Sequence, residues 1–92
     1  MAMSSRAEYA VRALILLAQA PDQLVPAEQL AGQQGSGEPG IPGRSLELVM
    51  TLLRRADLVR SERGPAGGFA LARSPAEISL AVILGAVAEA GS

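Results

Sequence analysis

The sequence predicts a mostly helical α+β domain in which three helices precede a two-stranded β-hairpin and a last helix. Two observations support this fold class. Apolar residues recur at helical spacing in three segments, and the glycine- and proline-rich turn at 64–68 separates two short stretches with strand character. A chain of 92 residues has the length of one domain, so residues 1–92 are expected to form a single folded unit.

The first two helices are predicted from a start signal and from apolar spacing. Ser5 and Glu8 have the spacing of a capping box, which predicts a helix from Ser5 to about Ala20. Its predicted buried stripe consists of Ala10, Ala13, Leu14 and Leu17. A short second helix is predicted over 27–33, with Leu30 pointing toward the core.

The segment 35–40 is predicted to be a loop, although it matches the pattern Gly-x-Gly-x-x-Gly. That pattern binds a pyrophosphate when it follows a strand and opens a helix. Here it follows a predicted helix and contains Pro39, and 92 residues are too few for a dinucleotide-binding fold. A turn between helices therefore accounts for the segment better than a nucleotide site.

The third helix is predicted over about 43–56 and has two distinct faces. The core face is assigned to Leu46, Val49, Met50 and Leu53. At 100° per residue the opposite face carries Arg44, Leu48, Thr51 and Arg55, with Glu47 at its flank. Such side chains can read base edges, because arginine donates to guanine, glutamate accepts from cytosine and methyl groups contact thymine. An ordinary solvated helix face accounts for each single residue equally well.

The segment 58–73 is predicted to be a β-hairpin, with Phe69 and Leu71 spaced two apart as in a half-buried strand. After it, Ser74 or Ser79 is expected to cap the last helix, which would extend to about Ala90. Its predicted apolar stripe consists of Leu80, Ile83, Leu84 and Val87. Ile78 and Val82 add a second apolar strip, which would suit contact with a partner chain. This order of elements is that of a winged helix-turn-helix.

The charge distribution points to a phosphate-bearing partner although the formal net charge is −1. Residues 44–73 contain six arginines and three acidic residues, a local charge of +3, whereas residues 1–43 and 74–92 each sum to −2. A basic segment of this kind can concentrate positive potential on one face. The apolar run 13–18 is too short to cross a bilayer, and no signal peptide is evident, so a cytoplasmic protein is expected.

The absence of cysteine and histidine restricts the chemistry of the chain. It removes disulfides, thiolate nucleophiles, the usual zinc ligands and every catalytic set that needs His or Cys. The remaining carboxylates lie at predicted solvent-facing positions, so an enzyme is not expected. Nothing in the motifs indicates a small-molecule ligand or a membrane partner.

Two segments resemble a known family. Residues 4–14 (SSRAEYAVRAL) and 53–73 (LRRADLVRSERGPAGGFALAR) are similar to the IscR/NsrR family of bacterial transcription regulators, also called the Rrf-two family. In that family the second segment contains Arg-Gly-x-x-Gly-Gly-(Tyr or Phe) and forms the wing. The resemblance covers essentially all of residues 3–90.

The resemblance implies a sequence-specific DNA-binding regulator, expected to be a repressor, that acts as a homodimer on a two-fold symmetric operator. The helix of about 43–56 would enter the major groove, and the wing of 58–73 would enter the adjacent minor groove. By resemblance, Arg63 matches a minor-groove arginine and Glu47 a position that helps to discriminate bases. Ser4, Arg6 and Tyr9 match positions that contact phosphates. The full set of expected DNA contacts is Ser4, Arg6, Tyr9, Arg44, Glu47, Leu48, Thr51, Arg55, Arg60, Arg63 and Gly64.

The chain also departs from the family pattern. The turn at 35–40 is longer than usual, and Ser45 and Leu48 stand where the family usually has an aromatic residue and a glutamine. The sequence stops at Ser92 without a cysteine, so we expect this chain to lack the family's cysteine-ligated iron–sulfur sensor and its long dimerisation helix, and to hold no cofactor. We expect it to be either a shortened form of a longer regulator or a family member without the sensor. The alternative hypothesis is a winged-helix module for protein interaction or dimerisation without strong DNA binding.

Overall fold

The computed structural model describes residues 4–32 and 40–88 and has the predicted order of elements. The elements are α1 (Ser5–Ala18), α2 (Ala27–Gly32), α3 (Gly43–Arg55), β1 (Val59–Glu62), β2 (Gly68–Leu71), a 3₁₀ turn (Pro75–Glu77) and α4 (Leu80–Ala88). The mostly helical α+β class is confirmed. The predicted loop at 35–40 lies outside the described residues except for Gly40, as does Gln33 at the predicted end of the second helix.

The core is formed where α1, α3 and α4 pack against one another, and it consists of aliphatic side chains. The predicted stripes of the first and third helices are confirmed, and Leu17, Leu30 and Leu53 are fully buried. Leu52, which is not part of the predicted stripe, is also buried. Its position widens the buried face of α3 toward α4, because both helices line the same shallow groove beside Leu52.

The first helix begins with a different cap from the one that the sequence indicated. Ser4, not Ser5, is the N-cap residue, and its Oγ accepts a hydrogen bond from the Ala7 backbone N–H at 3.1 Å. The reciprocal capping box of Ser5 and Glu8 is therefore not formed. Two adjacent serines both satisfy the preference for a hydroxyl at this position, and the sequence pattern did not separate them.

The last helix is also capped by one of two candidate serines. Ser79 Oγ accepts from the Val82 backbone N–H at 3.1 Å, whereas Ser74 caps the 3₁₀ turn through the Ala76 N–H at 3.3 Å. Of the predicted apolar stripe, Ile83 and Val87 are buried. Leu80 is 54% exposed and Leu84 is 37% exposed. In the part of the chain that the structure describes, no helix is long and apolar enough to cross a membrane.

The hairpin is attached to the helices through an additional strand contact. β1 and β2 pair antiparallel, and Phe69 also exchanges two backbone hydrogen bonds with Val25, in the loop between α1 and α2, at 2.8 and 2.9 Å. Gly68 permits this contact, because its φ is +155° and a Cβ there would lie 2.5 Å from the Val25 carbonyl oxygen. The predicted half-burial of Phe69 and Leu71 is confirmed.

The end of α3 is a Schellman turn that directs the chain into β1. The Leu58 N–H donates to the Leu53 carbonyl and the Asp57 N–H donates to the Arg54 carbonyl, both at 3.0 Å. Leu53 and Leu58 are both fully buried, which provides the apolar contact that accompanies this motif. The C′ position, which usually requires glycine, is occupied by Asp57 with φ of +61°.

We predict that Asp57→Gly stabilises the protein by about 0.5–1 kcal/mol, because glycine has no Cβ penalty in the left-handed region. Part of the gain arises because a carboxylate is removed from the C-terminus of a helix. Asp57→Asn is the control, since it removes the charge and keeps a side chain. Urea unfolding of the three proteins provides the measurement. A glycine variant no more stable than the asparagine variant would contradict a backbone origin of the gain.

Candidate nucleic-acid interface

The outer surface of α3 presents the side chains that the sequence assigned to it. Arg44, Glu47, Leu48 and Arg55 are exposed, and Thr51 is half-buried. The Thr51 Oγ1 donates to the Glu47 backbone carbonyl at 2.8 Å, so its hydroxyl proton already forms a hydrogen bond within the helix. Leu48 is 40% exposed. The face therefore combines cations, one carboxylate and one apolar contact point.

The two faces of the hairpin carry different chemistry. Opposed residues of an antiparallel pair share a face, and neighbours along a strand alternate. Val59, Ser61, Phe69 and Leu71 consequently share one face, which is turned toward α3 because Phe69 lines the groove beside Leu46 and Met50. Arg60 and Glu62 project from the opposite face. There the Arg60 Nη1 and the Glu62 Oε2 form an ion pair at 2.9 Å.

The tip of the hairpin is a tight turn preceded by an arginine. The Gly67 N–H donates to the Gly64 carbonyl at 2.9 Å, with Pro65 in the second position of the turn. Gly64 has φ of +107°, a conformation that favours glycine. Arg63 is exposed directly before this turn and makes no hydrogen bond or ion pair within residues 4–32 and 40–88.

The three predicted contacts on α1 lie at its N-terminal end. Ser4 is exposed and accepts the capping hydrogen bond described above. Arg6 is half-buried, and its Nη1 donates to the Val87 carbonyl of α4 at 3.3 Å. Tyr9 is half-buried against the core, with the Arg12 guanidinium carbon 5.8 Å from its ring centroid. In the described ranges no hydrogen bond or ion pair joins these residues to the outer face of α3.

Arg54 is a residue that sequence reasoning counted as a charge but did not assign to the site. Its Nη1 donates to the Ser61 Oγ at 3.2 Å and thereby links the last turn of α3 to β1. A second arginine, Arg73, donates from Nε to the Asp57 carbonyl at 3.0 Å. The seven-residue spacing of Arg54 and Ser61 spans a helix, a turn and a strand, so no helical or strand period could have indicated their contact.

Helix α3 after a short helix, followed by a hairpin with an arginine at its tip, defines a winged helix-turn-helix protein. Residues 3–92 match the Rrf2 family, described as "Iron-dependent Transcriptional regulator", and the chain belongs to this family. The relatives that it matches are named HTH-type transcriptional regulators.

Named relatives support this membership. The chain is 47% identical over 85 residues to the putative HTH-type transcriptional regulator Rv1287 of Mycobacterium tuberculosis, covering 91% of this chain and 50% of that protein. It is 37% identical over 90 residues to IscR of Aliivibrio salmonicida, covering 97% and 51%. The chain thus spans about half the length of these curated relatives.

Solved structures of the family superpose closely on the chain. IscR of T. potens matches with a TM-score of 0.82 at 33% identity, covering 95% of this chain and 61% of that one. CymR of B. subtilis, described as the global cysteine regulator, matches with a TM-score of 0.83 at 25% identity, covering 95% and 64%. The winged helix-turn-helix assignment is therefore confirmed by both.

The family description mentions iron, but these 92 residues do not fit a cysteine-ligated iron centre. The sequence contains no cysteine and no histidine. Among the described residues, the acidic side chains nowhere gather in a group of three that could hold a metal ion. The donor set that thiolate or imidazole ligation requires is thus absent from this chain.

Proposed function

We propose that this chain binds duplex DNA sequence-specifically, with α3 in the major groove and the hairpin in the adjacent minor groove, and that it represses transcription by occupying a promoter. The observation that carries the proposal is the set of exposed arginines Arg44, Arg55 and Arg63, which make no ion pair within the described residues. Their guanidinium groups are therefore available to phosphates and base edges.

The expected contacts differ in what they contribute. Arg63 and Gly64 at the tip would enter a narrow minor groove, whose negative potential favours a guanidinium group. Arg44, Glu47, Leu48, Thr51 and Arg55 would face the major groove. Ser4, Arg6 and Tyr9 would contact phosphates; Arg6 retains four of its five N–H donors beyond the one bonded to Val87. Of the expected DNA contacts, Arg60 should contribute least, because it forms an ion pair with Glu62 on the hairpin face turned away from α3.

The main test is Arg63→Ala, measured by electrophoretic shift on duplexes from the region upstream of the gene. We expect affinity to fall roughly 10-fold or more, because one inserted guanidinium group is lost. Arg60→Ala is the matched control, because it removes the same charge from the hairpin face that is turned away from α3. It should lower the affinity by less than about 3-fold.

Repeating both titrations at increasing salt separates binding through phosphates from binding through uncharged contacts. The wild type should show a steep decline of log affinity with log salt concentration, as expected for a protein that displaces condensed counterions. An affinity that ignores salt, or equal losses for the two arginine variants, would contradict the proposed interface.

Glu47 is proposed to discriminate bases, so its removal should change specificity more than affinity. With Glu47→Ala, we expect the preference at one base pair to weaken by about 1–3 kcal/mol while preferences elsewhere persist. Selection from a duplex library with each position randomised is the measurement. Glu28→Ala on α2 removes another exposed carboxylate and serves as the control. If both variants gain affinity uniformly for all sequences, Glu47 acts only through its charge.

We further propose that the protein acts in the cytoplasm as a homodimer on a two-fold operator. Support comes from large apolar side chains that are exposed, namely Ile15 of α1 and Leu80, Val82 and Leu84 of α4. The same exposed side chains favour the alternative of a protein-interaction module, in which partner binding would not require the arginines.

We predict that Leu80→Glu shifts the protein toward monomer, since a charge would be placed in an apolar interface. Sedimentation velocity over a concentration series measures this shift. Gln23→Glu introduces the same charge at an exposed position in the loop between α1 and α2 and should leave the distribution unchanged. A dimer that is insensitive to Leu80→Glu would place the interface elsewhere.

A further inference from the structure

We propose that Arg54 and Ser61 together form a binding site for one phosphate of the DNA backbone, at the junction of α3 and the hairpin. This inference rests on the proposed function, because it presumes that α3 and the hairpin enter neighbouring grooves. It adds two residues that the sequence did not assign to the interface, and it names the chemical group that they bind.

The two side chains are held together at the surface. The Arg54 Nη1 donates to the Ser61 Oγ at 3.2 Å, and both residues are exposed. Ser61 lies on the hairpin face that is turned toward α3, and Arg54 lies in the last turn of that helix. A pair that is already joined loses less side-chain freedom when it captures a third group.

The pair retains donors for an anion. A guanidinium group has five N–H donors, and one of those of Arg54 is directed at Ser61. Because the Ser61 oxygen accepts this hydrogen bond, its own proton is free to point toward a second acceptor. Within the described residues, neither side chain contacts a carboxylate, and the nearest one along β1, Glu62, is bound to Arg60 on the opposite face.

The location of the pair matches the position of a backbone strand. In B-form DNA the major and minor grooves are separated by one sugar–phosphate chain. If α3 occupies the first groove and the Arg63 tip occupies the second, the segment that connects them must cross that chain. Arg54 and Ser61 lie on this connection, between the reading face of α3 and the tip of the hairpin.

One electrostatic effect opposes the site. Arg54 lies at the C-terminus of α3, where the helix dipole has its negative end. Two observations limit this effect. The Leu53 and Arg54 carbonyls are already bonded to N–H groups of the Schellman turn, and the charge of a guanidinium group exceeds the half-charge of a helix terminus. An anion beside Arg54 therefore experiences a net positive field.

The test combines protein variants with neutralised phosphates. Wild type, Arg54→Ala and Ser61→Ala are titrated with a duplex bound by the wild type, in which single phosphates are replaced in turn by uncharged methylphosphonates. Arg73→Ala is the control, because it removes an exposed arginine of the same region whose Nε is bonded to a backbone carbonyl. Each titration is repeated over a range of salt concentrations.

We expect Arg54→Ala to lower the salt slope by about one unit, as for one lost phosphate contact. Ser61→Ala should weaken binding roughly 2- to 5-fold without changing that slope, since it removes a neutral donor. One methylphosphonate position should weaken binding of the wild type and of Arg73→Ala, yet leave Arg54→Ala unaffected. That lack of additivity identifies the shared contact.

Two results overturn the site while the proposed function survives. One is an Arg54→Ala protein that keeps the full salt slope. This result would indicate that the Arg54–Ser61 hydrogen bond only positions the hairpin and binds no phosphate. The other is an Arg54→Ala protein that still loses affinity at every methylphosphonate position that affects the wild type. A wild-type protein whose affinity ignores salt overturns both the site and the proposed function.

Discussion

The turn that ends α3 is the constraint on which the rest of the interface depends. Two hydrogen bonds close it, and the fully buried side chains of Leu53 and Leu58 hold it against the core. Because β1 begins at Val59, directly after this turn, the direction of the hairpin is determined within a few residues of the last turn of α3. A helix and a wing that address adjacent grooves need such a fixed relation, since a small change in angle would move the tip out of reach.

The hairpin is anchored at its second strand as well. Phe69 pairs with Ser61 in β1 and bonds to Val25 on its other side, so β2 is the middle strand of a three-membered arrangement. The Phe69 ring also contributes to the groove between α2 and α3. The base of the hairpin is therefore connected to the loop before α2 and to the end of α3. Arg63 is carried beyond this anchored base, at a turn that projects into solvent.

The parts of the fold that were predictable are those encoded by local periodicity or by turn chemistry. The stripes of α1 and α3 could be found because burial repeats with the helical period, and the hairpin because Gly-Pro-Ala-Gly-Gly interrupts two extended segments. The Val25 contact could not be found, because a bridge of a single residue leaves no period. The exposure of Leu80 and Leu84 could not be predicted, because hydropathy identifies an apolar face without stating what covers it.

In the candidate site, too, the features set by local periodicity could be predicted from the sequence, whereas those set by tertiary contacts could not. The outer face of α3 follows from the helical period, so Arg44, Leu48 and Arg55 could be identified in advance as its exposed residues. The distribution of charge over the two faces of the hairpin could be assigned only once the register of β1 and β2 was known. Arg60 and Glu62 neutralise each other on the face turned away from α3, whereas Arg54 reaches Ser61 on the face turned toward it. Among the described residues, exposed arginines without an ion pair therefore lie along α3, at its junction with β1 and at the hairpin tip. A chain with a net charge of −1 can in this way present a cationic surface to a polyanion.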